Sequence, residues 1–325
     1  MKKYPVAIIA ALPFFLLGAL APSLATAQDD FPRTASGKPD FNGHYDISTL
    51  TPFQRPSEFS ERLYLDAEEV QALRDREMNT RARDSGQDNP DRSAPEQGGN
   101  IGAYNDFWFE VAGIGDTVRT SLVVYPENGR FPAAVEGAPR QFGGLGPDVP
   151  GARPVRYTVG GIAKDGPEDR GLSTRCIVGF NSGPPFTPSL YNNNVQIFQS
   201  RNTVVIMTEM IHDARIVTLV EKPALTDDIR LWSGDSRGYW EGDTLIVETR
   251  NFNGMQSSFQ SRGTNLDMML TEKFTRVAYD TVNYEFTVDD PSTFTDKITA
   301  IVPMSKVAGQ IYEYACHEGN YGMFN

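Results

Sequence analysis

The stretch RGYWEGDTLIVETRNF, residues 237–252, decides the fold. It consists of two runs rich in β-branched and aromatic residues, which are the residue types that strands favour. Between the two runs, Glu241-Gly242-Asp243 has the composition of a tight turn. The stretch therefore predicts a β-hairpin, and it indicates that the surrounding chain forms a sheet.

The same pattern recurs along the chain from Ala103 onwards. About a dozen short runs have a period of two, and turn residues bound each of them. Helical patterns do not alternate with these runs, which disfavours a parallel α/β sheet. We expect an all-β fold in which an antiparallel meander curls into a lipocalin-like barrel or half-barrel, because closure removes exposed strand edges. A β-propeller is the alternative, although the sequence shows no blade-length repeat. The runs are YNDFWFEVA, RTSLVVYP, RPVRYTVGG, RCIVGF, VQIFQS, TVVIMTEM, ARIVTLVEK, RGYWEGDTLIVETRNF, LTEKFTRVAY, TVNYEFTVDD, DKITAIVPM and QIYEYAC.

The first 103 residues have a different character and divide into two parts. Residues 1–27 combine two lysines, a short apolar run and an Ala-Thr-Ala site before Gln28, as secretory signal peptides do. We interpret residues 28–103 as an N-terminal extension that contains one helix, with Asp66 as its N-cap, followed by a polar loop. Residues 104–325 would then form the barrel domain.

Composition narrows the range of partners. The chain has a formal net charge of −12, which disfavours nucleic acid and anionic lipid because phosphate binding needs clustered Lys and Arg. Beyond the signal peptide, no stretch approaches the roughly 18 apolar residues of a membrane-spanning helix. We expect a periplasmic or secreted protein without an integral membrane span. Its partner would be a small-molecule substrate or ligand, and the sequence does not indicate an oligomeric state.

The C-terminal stretch IYEYACHEGNYGMFN, residues 311–325, has the composition of a buried segment rather than that of a frayed terminus. Two cysteines in an exported chain predict a disulfide between Cys176 and Cys316, and two separate buried thiols are the alternative. A bridge would close a loop of 140 residues (316 − 176), for which the chain-entropy relation gives about 4 to 5 kcal/mol. The bridge would also hold the tail beside Arg175, so that the tail lines a site.

Two motifs that contain histidine are candidates for chemistry. In TEMIHDARI, residues 208–216, a turn at His212-Asp213 would let the imidazole reach a carboxylate, and such a pair suits proton transfer. In the tail, His317-Glu318 follows the second cysteine, and the disulfide would bring an arginine close to this base and acid. For the first motif, the alternative is a strand end at which the histidine hydrogen-bonds a neighbouring carbonyl group. For the tail, the alternative is a structural role in which salt bridges hold the C-terminus in place.

Two further motifs give weaker signals. GDSRG, residues 234–238, fits the G-x-S-x-G pattern around Ser236, but a hairpin follows it instead of the helix that a nucleophile elbow requires. The loop GFNSGPPFTPSLYNNN offers the Asn193 amide and the Tyr191 ring for recognising sugars or hydroxyl groups. Asparagine runs are also ordinary turn formers, which is the alternative interpretation.

Metal and cofactor patterns are weak in this sequence. It contains no H-x-x-x-H, H-E-x-x-H, C-x-x-C or calcium-loop pattern, and no Rossmann or P-loop fingerprint. His44, His212 and His317 would have to meet in space to form a three-histidine zinc site, and nothing in their spacing indicates that they do. We therefore expect no metal and no cofactor.

Several long motifs together resemble a family of uncharacterised exported bacterial proteins. They are EMIHDARI, WSGDSRGYWEGDTLIVETRNF, YEFTVDDP and YEYACHEGNYGM, with PRTASGKPDFNGHYD near the mature N-terminus. The last is similar to the family's opening PRTxDGxPDxxGxW, with Tyr45 at a position that is often Trp. The resemblance covers nearly the whole mature chain. It implies an exported, β-rich protein, and it carries no activity or catalytic residue.

The leading hypothesis is an exported enzyme that performs acid/base chemistry without an organic cofactor. It would act as a lyase, isomerase or hydrolase on a small, partly apolar or glycosidic substrate. A periplasmic carrier whose barrel pocket holds an apolar ligand is the alternative from another class, and a structural envelope protein is a third. The predicted catalytic residues are His212, Asp213, His317 and Glu318, and the predicted binding residues are Arg175, Arg215, Arg237, Tyr191, Asn193 and Trp108.

Overall fold

A nine-stranded β-barrel dominates the structure, which is a computed structural model. The structure describes residues 31–84, 93, 96, 118–138, 147–150, 161–163, 165–256, 259 and 262–324. Its helices are α1 (Ala67–Asp84) and α2 (Tyr321–Phe324). Its strands are β1 (Gly43–Asp46), β2 (Val123–Tyr125), β3 (Asp148–Val149), β4 (Gly161–Ile162), β5 (Asn194–Gln199), β6 (Thr203–Thr208), β7 (Ala214–Thr218), β8 (Asp235–Glu241), β9 (Thr244–Arg250), β10 (Met269–Arg276), β11 (Thr281–Asp289) and β12 (Ile298–Val307).

Strand pairing closes the barrel on itself. The hydrogen-bonded order is β1-β5-β6-β7-β8-β9-β10-β11-β12, and β12 pairs back to β1. Within β1, His44 lies opposite Gln196 of β5 and opposite Val307 of β12. Strand β2 pairs with β12 from outside the barrel, and β3 and β4 form a separate parallel pair. The predicted all-β barrel is therefore confirmed.

Alternation of apolar and polar residues determines which side chains enter the barrel. Buried and half-buried residues alternate along the whole of β10 and β11, as expected for a sheet with one face in a core. Three aromatic rings meet in that core: the Phe186 ring stacks on Tyr284 with their centroids 3.9 Å apart, and the Phe274 ring lies 5.0 Å from Tyr284. The barrel interior described by the structure is thus packed with side chains.

The barrel departs from the predicted antiparallel meander in two places. Strands β7 and β8 pair in parallel, through Thr218 and Arg237, and residues 219–234 connect them. The second departure is β1, which lies within the predicted N-terminal extension but forms part of the barrel wall. The predicted boundary between residues 103 and 104 therefore does not separate the extension from the barrel.

Two runs that were predicted as strands are turns and loops instead. Residues 175–180 and residues 310–316 have no strand pairing. They lie close to each other because a disulfide joins Cys176 to Cys316. The predicted strand over residues 104–112, and residues 153–160 of another, lie outside the described residues.

The predicted helix after Asp66 is present as α1. The Asp66 carboxylate accepts the backbone N–H of Glu69 at 2.9 Å, and the Glu69 carboxylate accepts the backbone N–H of Asp66 at 2.9 Å. This reciprocal pair is a capping box, which satisfies two amide donors at the start of a helix. Among the described residues, no helix is both long enough and apolar enough to cross a membrane.

Candidate functional site

The chain turns sharply at His212, between β6 and β7, and the backbone there is strained. A short 3-10 helix, Met210–His212, forms the turn. Ile211 has φ 62° and ψ 12°, and His212 has φ 47°. Both residues lie in the left-handed region, which L-residues rarely adopt and which is least favourable for a β-branched side chain. Strain of this kind persists only where the surroundings impose it, and it clusters at functional sites.

Glu209 anchors the strained turn to the neighbouring strand. Its backbone N–H donates to the Asn194 carbonyl at 2.9 Å, and its own carbonyl accepts the N–H of His212 at 3.0 Å. Its carboxylate accepts the side-chain amide of Asn194 at 2.8 Å. On the other side, Ile211 is buried in a small apolar cluster with Met210 and Tyr191. The turn is therefore fixed both by hydrogen bonds and by packing.

The turn presents its two candidate catalytic residues differently to solvent. His212 is exposed, whereas Asp213 is half-buried. The Ser233 hydroxyl donates to the Asp213 carboxylate at 3.5 Å. Burial raises the pKa of Asp213, and the positive charge of Arg215 only partly opposes that rise. An acid whose pKa is shifted towards neutrality next to an exposed imidazole is an arrangement suited to proton transfer.

Arg215 occupies the barrel interior and does not face an open cavity. Its guanidinium donates to both carboxylate oxygens of Glu272, with one of the two distances at 2.7 Å. The Tyr284 hydroxyl donates to the same carboxylate at 2.7 Å. Arg215 also reaches the hydroxyl groups of Ser236 and Thr249, at 3.4 and 3.3 Å. The arginine predicted to bind substrate is thus the centre of a buried polar network.

Burial and charge set the protonation states within this network. Burial alone would lower the pKa of Arg215, but the attraction and hydrogen bonds of Glu272 outweigh it, so the pKa rises. Burial, together with the nearby Glu272 charge, raises the pKa of Tyr284 well above its usual range. Arg215 therefore stays charged and Tyr284 stays neutral. The positive charge of Arg215 is the main electrostatic influence that the network exerts on Asp213.

The predicted disulfide is present and holds the C-terminal tail against the fold. Cys176 and Cys316 are bonded, and their Cα atoms lie 5.9 Å apart. The side-chain amide of Asn320 donates to the Thr174 carbonyl at 2.7 Å. Tyr314 and both cysteines pack on the apolar cluster that contains Ile211. The predicted bridge therefore forms, and the structure adds that the tail lies next to the strained turn.

The tail's own candidate residues remain at the surface. His317 and Glu318 are exposed, and Arg175 is half-buried on the other side of the bridge. Among the described residues, no hydrogen bond or ion pair joins His317 or Glu318 to His212 or Asp213. Their predicted roles in catalysis stay predictions.

The remaining predicted binding residues have mainly local partners. Arg237 pairs with Asp235 at 2.7 Å and donates to two backbone carbonyls. The buried Asn193 amide bonds both backbone groups of Ser189, at 2.7 and 2.9 Å, which fixes a loop. Tyr191 packs edge-on against Phe180 in the apolar cluster. Trp108 lies outside the described residues.

A cavity missed by the sequence analysis lies on the outer wall of the barrel, beneath the tail. Its volume is about 320 Å³. Residues of β1, β5 and β12 form its floor, and the chain immediately after β12 forms its roof. Its lining residues are His44, Asp46, Asn194, Val307, Ala308, Gly309, Gln310, Ile311 and Tyr312. The tail therefore lines a cavity, but with Ile311 and Tyr312 and not with His317 or Glu318.

Sequence reasoning also missed Glu272 and Tyr284. Alternation in the run LTEKFTRVAY places Glu272 on the same face as Leu270 and Phe274. A charged residue on an otherwise apolar strand face signals a buried ion pair, so this residue was open to prediction from sequence. His44 and Asp46 carry no comparable signal, because their cavity exists only once β1 has paired and the tail has folded over it.

Comparison with known proteins gives no assignment. No protein-family model matches the chain, and neither does any curated protein or solved structure. The resemblance to exported bacterial proteins accordingly stays a prediction.

Proposed function

We propose that the protein is an enzyme that performs acid/base chemistry on a small substrate without an organic cofactor, with His212 and Asp213 as its proton-carrying pair. The observation that carries the proposal is the strained turn, in which Ile211 and His212 both adopt left-handed backbone conformations. In this turn the His212 side chain is exposed to solvent, whereas the next residue, Asp213, is half-buried. Proteins retain such strain chiefly where a side chain must be aimed.

The two residues have complementary roles in this proposal. His212 exchanges protons with the substrate, because a positioned histidine is the side chain that most often transfers protons in catalysis. Asp213 acts as the second acid or base, because burial raises its pKa towards the working range. Arg215 supplies a fixed positive charge behind Asp213 and limits that rise. A lyase, isomerase or hydrolase reaction on a partly apolar or glycosidic substrate is compatible with this set of groups.

Two observations support export of the enzyme. The N-terminal 27 residues have the pattern of a secretory signal peptide. The Cys176–Cys316 disulfide is of a kind that persists in oxidising compartments and is rare in the cytosol. We therefore propose a periplasmic or secreted location.

The packing of the barrel disfavours the carrier hypothesis. A carrier of the lipocalin type needs a hollow barrel in which the ligand lies. In the part of the chain that the structure describes, the interior is occupied by the rings of Phe186, Phe274 and Tyr284 and by the Arg215–Glu272 ion pair. An apolar ligand would have to displace these groups.

Mass spectrometry of a metabolite extract tests the proposal. The mature protein, His212→Ala and Asp213→Asn are incubated separately with the extract, and the mixtures are compared with a heat-denatured sample. We expect a compound to be consumed by the wild type and not by the two variants. Retention of an unchanged compound by all three proteins would instead support a carrier.

A further inference from the structure

The cavity on the outer wall of the barrel is separate from the acid/base turn and has its own chemistry. Along β1, Tyr45 is buried in the core, so the alternating residues His44 and Asp46 point away from it. Asn194 of β5 lies opposite Asp46 in the pairing. The amide of Asn194 is bound to Glu209, which holds the base of the strained turn. The two sites are thus neighbours, and a different set of groups lines each one.

The tail fixes both the orientation and the tautomer of His44. The Nδ1 atom of His44 lies 2.6 Å from the Gly309 carbonyl oxygen. A carbonyl oxygen only accepts hydrogen bonds, so Nδ1 must carry the proton. In the neutral ring, Nε2 then bears a lone pair and acts as an acceptor. Gly309 has φ 127°, a conformation that other residues rarely adopt, and its carbonyl meets the ring in this conformation.

Asp46 adds a negative charge to the cavity, and none of its partners among the described residues is a Lys or Arg side chain. Its two oxygens accept hydrogen bonds from the backbone N–H and the hydroxyl of Ser48, both at 2.7 Å. These donors are neutral. Among the described residues, no Lys or Arg forms a salt bridge with Asp46, and Lys306 of the adjoining strand reaches the Asn42 carbonyl instead. A partly buried carboxylate without a counter-charge attracts a cation.

The remaining lining residues indicate an organic cation as the ligand. Val307 and Ile311 provide apolar surface, and Tyr312 is the aromatic residue among the lining residues. Aromatic faces attract ammonium groups. A metal ion is less suitable, because no group of three or more His, Cys, Asp or Glu residues suited to a metal occurs in the described part of the chain. A ligand here would need several N–H donors, one positive charge and a short apolar body.

We propose that this cavity binds a small molecule bearing a primary ammonium group. The ammonium donates to Asp46 and to Nε2 of His44, and its carbon chain lies against Val307 and Ile311. The cavity of about 320 Å³ lies at the lower end of the range for small-molecule sites. This proposal does not depend on the acid/base function, since neither His212 nor Asp213 lines the cavity.

Calorimetric titration of the mature protein with three probes tests the proposal. The probes are butylammonium chloride, butanol and sodium butyrate, which share a carbon chain and differ in charge. We expect butylammonium to bind at millimolar concentration and the other two to bind at least about tenfold more weakly, since only the ammonium forms charge-assisted hydrogen bonds. Equal binding of butanol, or no binding of butylammonium at millimolar concentration, would overturn the proposal.

Two variants and a control locate the binding. Asp46→Asn should weaken butylammonium binding about tenfold or more, whereas Asp267→Asn removes an exposed carboxylate outside the cavity and should change it less than about twofold. If Asp46→Asn fails to fold, Val307→Trp provides the test, because it fills the cavity without touching the hydrogen bonds of Asp46. Unchanged binding in the folded variant would overturn the proposal.

Discussion

The guanidinium of Arg215 and the carboxylate of Glu272 form a bidentate ion pair inside the barrel. Arg215 is 8% exposed and Glu272 is fully buried. The Tyr284 hydroxyl provides a further hydrogen bond to Glu272. Because Asp213 lies two residues from Arg215 and senses its charge, the pair links the packed core to the candidate site at the rim of the barrel. Disrupting this ion pair should therefore mainly lower the stability of the fold, and it should have a smaller effect on the candidate site through the charge near Asp213.

Glu272→Gln should destabilise the protein strongly. The substitution leaves the Arg215 charge buried without a counter-charge, which typically costs about 3 to 5 kcal/mol. Urea denaturation followed by tryptophan fluorescence measures the loss. The control is Glu285→Gln, which breaks a partly exposed pair with Lys273 at 2.9 Å and should cost less than about 1 kcal/mol. Equal losses in the two variants would contradict the buried position of the Arg215–Glu272 pair.

Removing the disulfide should loosen the tail and lower stability. Loss of a bridge that closes a loop of 140 residues is expected to cost about 2 to 5 kcal/mol. Urea denaturation of the Cys176→Ser, Cys316→Ser double variant measures the cost. Reductant should lower the midpoint of the wild type and leave that of the double variant unchanged. A wild type insensitive to reductant under denaturing conditions would show that the bridge does not form.

Asp213→Asn should raise the melting temperature at neutral pH. Burial holds the pKa of Asp213 in the folded protein above its value of about 3.9 in the unfolded chain. The stability that the carboxyl contributes is therefore complete below the unfolded pKa, and it is lost as the pH rises through the raised folded pKa. The neutral amide avoids that loss. Each kcal/mol regained corresponds to roughly 2 to 4 °C in a domain of about this size.

The matched control for this prediction is Asp243→Asn. The hydrogen bond from Arg33 holds the pKa of the exposed Asp243 below its usual value, so removing this carboxylate should give no gain at neutral pH. Thermal unfolding of both variants at neutral pH and near pH 4 makes the comparison, and the gain in Asp213→Asn should shrink at the lower pH. An equal gain at both pH values would show that the Asp213 carboxyl carries no burial penalty.

The left-handed backbone of His212 predicts an unusual ranking of substitutions. Alanine in this conformation costs about 1 to 2 kcal/mol relative to residues that tolerate it, and glycine adopts it without strain. Because the His212 side chain is exposed, its removal loses little packing. His212→Gly should therefore be more stable than His212→Ala by about 1 kcal/mol in urea denaturation. In an ordinary strand or helix the order would be reversed, and that result would refute the strained turn.

The sequence was sufficient for features that depend on local patterns. Alternation identified strands such as β9 and β11, and Asp66 as an N-cap identified the start of α1. Two cysteines in a chain with a signal-peptide pattern were enough to predict the disulfide. The strands and the helix start depend on residues that are near each other in sequence, and two cysteines allow only one disulfide pairing.

Features that depend on distant pairing were not accessible. His44 meets Val307, which lies 263 residues later in the chain (307 − 44), and no local pattern sets that register. Strand β1 has four residues, too few for a clear alternation. The runs over residues 175–180 and 310–316 have strand-like composition, yet they form turns and loops that the Cys176–Cys316 disulfide joins. Arg215 was predicted to bind substrate, because its pairing with Glu272, which lies 57 residues later in the chain, is set only when the barrel forms.

The measurement that tests the central claim most directly is the specificity constant for a compound that the wild type consumes. We predict that His212→Ala and Asp213→Asn each lower kcat/KM by about 10² to 10⁴. The double variant should lose little more than the worse single variant, because residues that act as a unit are not additive. Asp267→Asn, which removes an exposed carboxylate outside this turn, should retain wild-type activity. Values for His212→Ala and Asp213→Asn within about threefold of the wild type, too small a loss for a general acid or base, would contradict catalysis at this turn.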